Sequence, residues 1–296
     1  MPNHPLAEIF GFPAGNMSAN AERYRRLKLC PFFNRVPNCT KDKADNPLGV
    51  CSVFHGDSVA ITCPIRFRQD WLIAEDAATF FFPEGTSWTS LTEVRLNDRS
   101  GNSAGNVDIV LVAYDECGKV TDFGALEVQA VYISGNVRRP FEQYMGSPKT
   151  NANMDWRRET GYPRPDFLSS SRKRLAPQLL YKGGILNAWH KKMAVALDTG
   201  FFATLPNLRE TDCSHADIAW LVYDVESGDK KSQYVLERRR TVYTVFTESL
   251  EQITRPDVGA PDEFIERLQE KLDEKLENGN PPDTKTIDLG GSSASA

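Results

Sequence analysis

The chain has 296 residues, 40% of them apolar and 25% charged, with a formal net charge of −5 and an isoelectric point near 5.5. These are proportions of a globular protein with room for one large domain or two modest ones. Nothing in the chain resembles a transmembrane helix, since no apolar run approaches the roughly 18 residues a spanning helix requires. The N-terminus has no basic start followed by an apolar stretch, so a cytoplasmic protein is expected. The acidic total does not exclude a nucleic-acid partner, because its distribution is uneven. Arg138 to Lys192 holds twelve Lys or Arg against four Asp or Glu, whereas Glu248 to Asn278 holds ten acids against four bases. Phosphates respond to the local field rather than to the sum, although a plainly solvated surface explains the same charges.

Taken in chain order, the first quarter carries four of the six cysteines (Cys30, Cys39, Cys51 and Cys63) among Pro31, Pro37, Asn38, Asn46, Pro47, Gly49, Gly56 and Pro64. Loops and short strands of this kind bury little core unaided and call for a cross-link. Glu93 to Leu96 reads as a short alternating strand, Asp108 to Tyr114 as a buried strand, Asp115 to Lys119 as a turn, and Phe123 to Tyr132 as the next strand. A basic, irregular stretch runs on to about Ser171. The spacing of Leu186, Trp189, Met193 and Leu197 then predicts a helix from Lys173 to about Leu197. Gly183-Gly184 interrupts it, as two helices or a close backbone contact would require. Strands are predicted at 201–205, 218–225 and 241–246. Asp262 is placed as the N-cap of a short helix with Ile265, Leu268, Leu272 and Leu276 on one side, and 279–296 as a disordered tail.

Acids inside two neighbouring apolar strands need a reason. Residues two apart on a strand face the same way, so Glu127 and Gln129 project together while Val128 turns into packing. Asp108, near the start of the preceding strand, can reach the same cluster. An acid, about twenty residues, then Glu-x-Lys is the pattern of the PD-(D/E)xK nuclease core, in which carboxylates hold Mg²⁺ beside a scissile phosphate. Here Gln129 stands where that pattern has lysine. The pattern is short, and a turn cap at Asp108 with Glu127 and Gln129 on a wet edge explains it too.

Longer stretches resemble the NotI family of type II restriction endonucleases. They are Leu126-Glu127-Val128-Gln129 with Asp108 upstream, Cys30-Pro31-Phe32, Cys39, Gly49-Val50-Cys51, Cys63-Pro64, Ala176-Pro177-Gln178-Leu179 and Gly200-Phe201-Phe202-Ala203, in that family's order over roughly residues 25 to 206. The resemblance implies an α/β protein with a PD-(D/E)xK restriction-endonuclease-like core, a central mixed β-sheet flanked by helices, behind a small metal-binding region built on four cysteines. The expected divisions are 1–75 for that region, 76–278 for the catalytic and DNA-binding core, and 279–296 for the tail. It also implies Asp108 and Glu127 as Mg²⁺ ligands, with Gln129 orienting water or a phosphate oxygen and Glu93 as a further acidic member, though a surface acid on a strand explains Glu93 as cheaply. Cleavage would be sequence-specific, at a G·C-rich palindrome, leaving 5′-phosphates.

The cysteine spacings, eight, eleven and eleven intervening residues, are not those of a zinc ribbon, and by themselves leave buried free thiols open. The resemblance implies one structural iron or zinc held by Cys30, Cys39, Cys51 and Cys63, with Cys117 and Cys213 as plain thiols. For DNA contact the basic stretch offers Arg138, Arg139, Arg157, Arg158, Arg172, Lys173 and Arg174, arginine being suited to paired hydrogen bonds with guanine. A palindromic target implies a homodimer, and the activity implies a prokaryotic host with a cognate DNA methyltransferase. The readings that compete are a repair or modification-dependent nuclease on the same core, and a DNA-binding protein without enzymatic activity. A small-molecule enzyme ranks last, with no phosphate loop, no nucleophile elbow, and four scattered histidines (His4, His55, His190, His215).

Overall fold

The computed structural model of the chain describes residues 3–33, 37–42, 45–227 and 233–277. It forms two compact units, 1–254 and 255–296.

Unit 1–254 begins with a small antiparallel sheet. Its strands are β1 (Leu6–Ile9), β2 (Phe12–Pro13), β3 (Val50–His55) and β4 (Ser58–Ile61), in the order β2-β1-β3-β4. Between β2 and β3 lies α1 (Ala19–Leu27), opened by Ser18, whose side chain accepts the Ala21 N–H. A fully buried ion pair ties this sheet to the chain that follows: Arg66 Nε lies 2.9 Å from Glu8 Oε1. Ser52 donates to the same carboxylate, and Arg66 also donates to Gln69 and to the Tyr234 carbonyl. Two buried charges are tolerable there because they pair with one another and each has further hydrogen-bond partners.

α2 (Leu72–Phe81) follows, and then the central sheet. It is built from β5 (Trp88–Asn97), β6 (Ser103–Tyr114), β7 (Val120–Gln129), β10 (Met193–Asp198), β11 (Ile218–Ser227) and β12 (Tyr234–Thr244), with a separate pair, β8 (Tyr132–Ser134) and β9 (Arg164–Asp166), inserted between β7 and β10. The six strands run β12-β11-β10-β7-β6-β5. β10 is parallel to both β7 and β11, and the outer pairs are antiparallel. One face packs α2 through Ile73, Ala77 and Phe80 against Ile109, Leu111, Leu126, Val128 and Ala196. The other carries Leu175, Leu179, Leu186 and Phe246 against Ala125, Val195, Leu197 and Trp220. The sheet is mixed and flanked by helices, as expected.

Three expectations are corrected. The helix predicted over 173–197 spans 167–188 instead, as consecutive α- and π-helical turns, and Met193–Asp198 is a strand. Every residue of that strand is buried. A central parallel strand is covered on both faces and therefore reads as an unbroken apolar run, and Met193 and Leu197 fell on a helical spacing only by coincidence. Trp189, placed on the same apolar face, is about half exposed. The strand expected at 201–205 begins as a helical turn, Thr199–Phe202, because Asp198 caps it by accepting the Phe201 N–H at 2.7 Å. In the unit 255–296 the helix Pro261–Glu277 starts on proline, and Asp262 lies within its first turn rather than at the cap. Ile265, Leu268, Leu272 and Leu276 are exposed on it. The tail expected at 279–296 lies outside the described residues.

Candidate active site

β6 and β7 are paired from Tyr114 and Val120 as far as Ile109 and Leu126. The next pair in that register would be Asp108 with Glu127, and there the ladder stops. β7 keeps its other neighbour, β10, through Glu127 with Val195 and Gln129 with Leu197. The Val128 N–H is taken by the Asp108 carboxylate, Oδ2 at 2.8 Å. A side chain thus replaces a ladder bond where two strands part, which opens a gap between them and turns Asp108 toward Glu127.

Glu127 is wholly buried. Burial, then the nearby Asp108 carboxylate, push its pKa up to about 8 against the opposing pull of Lys182. The two carboxyl groups stand within hydrogen-bonding reach of one another, yet Glu127 Oε1 has no donor among the described residues. Two acceptor carboxylates brought this close demand a proton or a cation to offset their repulsion. The structure brings Asp108, on β6, against Glu127, while Gln129 meets Gln178. Asp108, Glu127 and the orphaned oxygen fit a hard divalent cation in donor chemistry. Among the described residues, however, no group of three or more His, Cys, Asp or Glu is arranged as a metal site.

Two neighbours of this pair went unnoticed in the sequence. Lys182 Nζ lies 2.6 Å from Glu127 Oε2 and donates to the Asn106 carbonyl at 2.8 Å, with only 3% of the residue exposed. The Gln129 amide donates to Gln178 Oε1. Both partners come from the helical segment 167–188, laid across the sheet face that Glu127 and Gln129 share. Its π-helical turn Leu179–Gly183 widens the helix at Lys182, a departure from α geometry often found at functional positions. The close backbone contact expected at Gly183-Gly184 is present at Gly183, where a Cβ would stand 2.7 Å from the Phe246 ring. The available signal was a lysine four residues after Gln178, set in an otherwise apolar helical face.

Glu93 falls in register opposite Asp108, between Thr92 with Ile109 and Val94 with Val107. It is exposed, and its backbone is left-handed, with φ of 56°. The pleat of β5 changes faces there. Trp88 packs with the α2 core, whereas Val94 and Leu96 pack in the opposite one. The Glu93 side chain lines a recess with Arg68, Trp71, Ser90 and Thr92.

The basic candidates separate by their partners. Arg138 is paired with Asp42 and Glu142, Arg139 with Glu159 at 2.8 Å, and Arg157 with Asp155 at 2.6 Å. Arg158 is exposed next to them. Arg172, Lys173 and Arg174 are exposed on the helical segment that carries Gln178 and Lys182, with Arg174 stacked over Tyr132.

The cysteines meet through two local pairings. The bridge between Leu29 and Asn38 brings Cys30 beside Cys39, and the Thr62 N–H donated to the Cys51 carbonyl brings Cys51 beside Cys63. Cys30, Cys39 and Cys63 line one recess with Lys41. Burial pushes the Cys30 thiol up to about 12 and raises those of Cys39 and Cys51, with neighbouring thiols adding to each rise. Four soft donors gather here, but the thiols are not in coordinating positions among the described residues. Cys117 is exposed and Cys213 half-buried.

A mixed sheet flanked by helices, with a pair of carboxylates buried where two of its strands part, is consistent with an α/β nuclease. Residues 16–236 match the family described as restriction endonuclease NotI. The chain belongs to that family, and is accordingly a restriction endonuclease, a hydrolase acting on double-stranded DNA. No curated protein matches it. No helix among the described residues is long and apolar enough to cross a membrane.

Proposed function

We propose that the protein is a type II, Mg²⁺-dependent enzyme that cuts both strands of a G·C-rich palindrome and leaves 5′-phosphates. The observation that carries this reading is the buried Glu127 carboxylate set against Asp108, with its Oε1 lacking a hydrogen-bond partner among the described residues. The core would be of the PD-(D/E)xK type. Asp108 and Glu127 would hold the cation, with Glu93 as an outlying third carboxylate across from Asp108. Bound there, Mg²⁺ would supply charge neutralisation at the phosphate and a more acidic water. Asp108 is fixed by the Val128 N–H, and Glu127 by Lys182 and the pairing of β7 with β10, so both carboxylates are held before substrate arrives. Gln129, tethered to Gln178, presents a neutral amide to the same space.

Arg172, Lys173 and Arg174 would hold phosphates beside this centre. Arg138, Arg139 and Arg157 would reach DNA only by giving up an acidic partner, and Arg158 stands among them. A homodimer would set one such site against each strand, and a methyltransferase would protect the host's copies of the target. Residues 1–75 would form the metal-stapled module, Cys30, Cys39, Cys51 and Cys63 closing on one iron or zinc, with 76–278 as the core.

The test is incubation of phage DNA with the protein, with and without Mg²⁺. Discrete fragments that require Mg²⁺ and carry ligatable 5′-phosphates are expected. Intact DNA with every divalent cation tried would end the proposal. Elemental analysis of the purified protein should find iron or zinc near one per chain, and its absence would remove the cysteine module.

A further inference from the structure

We infer that Lys182 supplies the positive charge that position 129 lacks, as the cationic residue of the cleavage site delivered from the helical segment 167–188. The inference rests on the nuclease reading of Asp108 and Glu127. A phosphoryl centre under attack gathers negative charge on its oxygens, and a neutral amide at Gln129 cannot balance it. Lys182 is the ammonium the geometry places there. Its Nζ sits 2.6 Å from Glu127 Oε2, on the carboxylate whose other oxygen has no partner among the described residues.

The environment of Lys182 is costly unless it is used. A lysine with 3% of its surface exposed has two acceptors among the described residues, Glu127 and the Asn106 carbonyl. Three hydrogens serve two acceptors, so one remains for a third group. The Asn106 carbonyl belongs to β6, two residues before Asp108, so both carboxylate-bearing strands fix the ammonium. Its stem passes Gly105, where a Cβ would lie 3.9 Å from Lys182 Cδ.

Without a divalent cation, Lys182 is the counter-charge for the two carboxylates. Were Asp108 and Glu127 to hold one, the remaining hydrogen of Lys182 would be available to a non-bridging phosphate oxygen. In the reaction the water oxygen bonds to phosphorus and the P–O3′ bond breaks. The water's proton passes to solvent and the 3′-oxygen takes one from solvent, while Lys182 contributes a hydrogen bond and no proton transfer.

Because Lys182 competes with the cation for Glu127 yet assists the phosphate, its removal should move two measurements in opposite directions. In Lys182→Met the Mg²⁺ concentration giving half-maximal thermal stabilisation of the DNA-free protein should fall about 10-fold. Cleavage under single turnover at saturating Mg²⁺, on a fragment that the wild type cuts, should fall about 100-fold or more. Adding Gln129→Lys should restore at least a tenth of the lost rate, since it returns one ammonium to the same side of β7. Should Lys182→Met not fold alone, the double variant, which keeps one ammonium, is compared with the wild type on the same two readouts. A purely structural lysine would weaken Mg²⁺ binding and cleavage together and would not be rescued from position 129. That pattern, or wild-type cleavage by Lys182→Met, overturns the inference while leaving the nuclease reading intact. A wild type that cuts nothing removes both.

Discussion

Asp108→Asn should raise the stability of the metal-free protein while destroying its activity. Lifting the Glu127 carboxyl from its ordinary 4.5 to about 8 corresponds to roughly 5 kcal/mol against the ionised form, at about 1.4 kcal/mol per pH unit. Burial is the larger part and persists in the variant. The Asp108 carboxylate is the next cause, so neutralising it should recover about 1–2 kcal/mol. The amide oxygen still accepts the Val128 N–H, so the local backbone should hold. Glu127's raised value makes its ionised form a cost that is fully present above pH 8 and absent below about 4.5, where folded and unfolded chains are both protonated. The gain should therefore appear at pH 8 and above and fade in acid. Urea denaturation of the metal-free protein at pH 8.5 and pH 4.5 measures it. Mg²⁺ at about 100 times its dissociation constant should stabilise the wild type by about 2.7 kcal/mol and the variant hardly at all. A variant less stable than the wild type at pH 8.5, equally stabilised by Mg²⁺, or cutting DNA at the wild-type rate would refute the reasoning.

Arg66→Met leaves Glu8 buried with Ser52 alone, and should cost about 3–5 kcal/mol in urea denaturation. Burial lowers His4 to about 4 from its ordinary 6.5. The stability this represents, about 3 kcal/mol, is present above pH 6.5 and lost as the pH falls through 4, because the unfolded chain takes up the proton first. Denaturation of His4→Gln across that range should show a flatter profile, and an unchanged slope would exclude His4. Replacing Arg172, Lys173 and Arg174 together by Ala should lower the slope of log affinity against log salt by about 0.9 for each phosphate the variant no longer neutralises, read by fluorescence anisotropy on duplex DNA. Gly183→Ala drives a methyl against Phe246 and should cost about 1–3 kcal/mol by thermal denaturation.

The legible parts were those that repeat along the chain. Strand alternation and apolar runs marked β6, β7 and β11, and the period of two put Glu127 and Gln129 on one side. The family resemblance led to the family that residues 16–236 match. What misled was a run that satisfied two periods at once. Met193 to Asp198 fits a helical face and a buried strand equally well, and only the presence of β7 and β11 on either side decides for the strand. Asp198 likewise ended a strand by capping a turn, which hydrophobicity alone does not reveal.

The pairing of Asp108 with Glu127 was anticipated from their strands, but the loss of the ladder bond that opens the gap between them was not. Lys182 shows the division most clearly. In the sequence it is one basic residue among twelve in a basic stretch, fifty-five positions from Glu127. A strand's own residues declare their face through a local rule. A charge brought by a distant helix declares itself only when packing against the sheet takes it out of water and leaves one carboxylate to meet it.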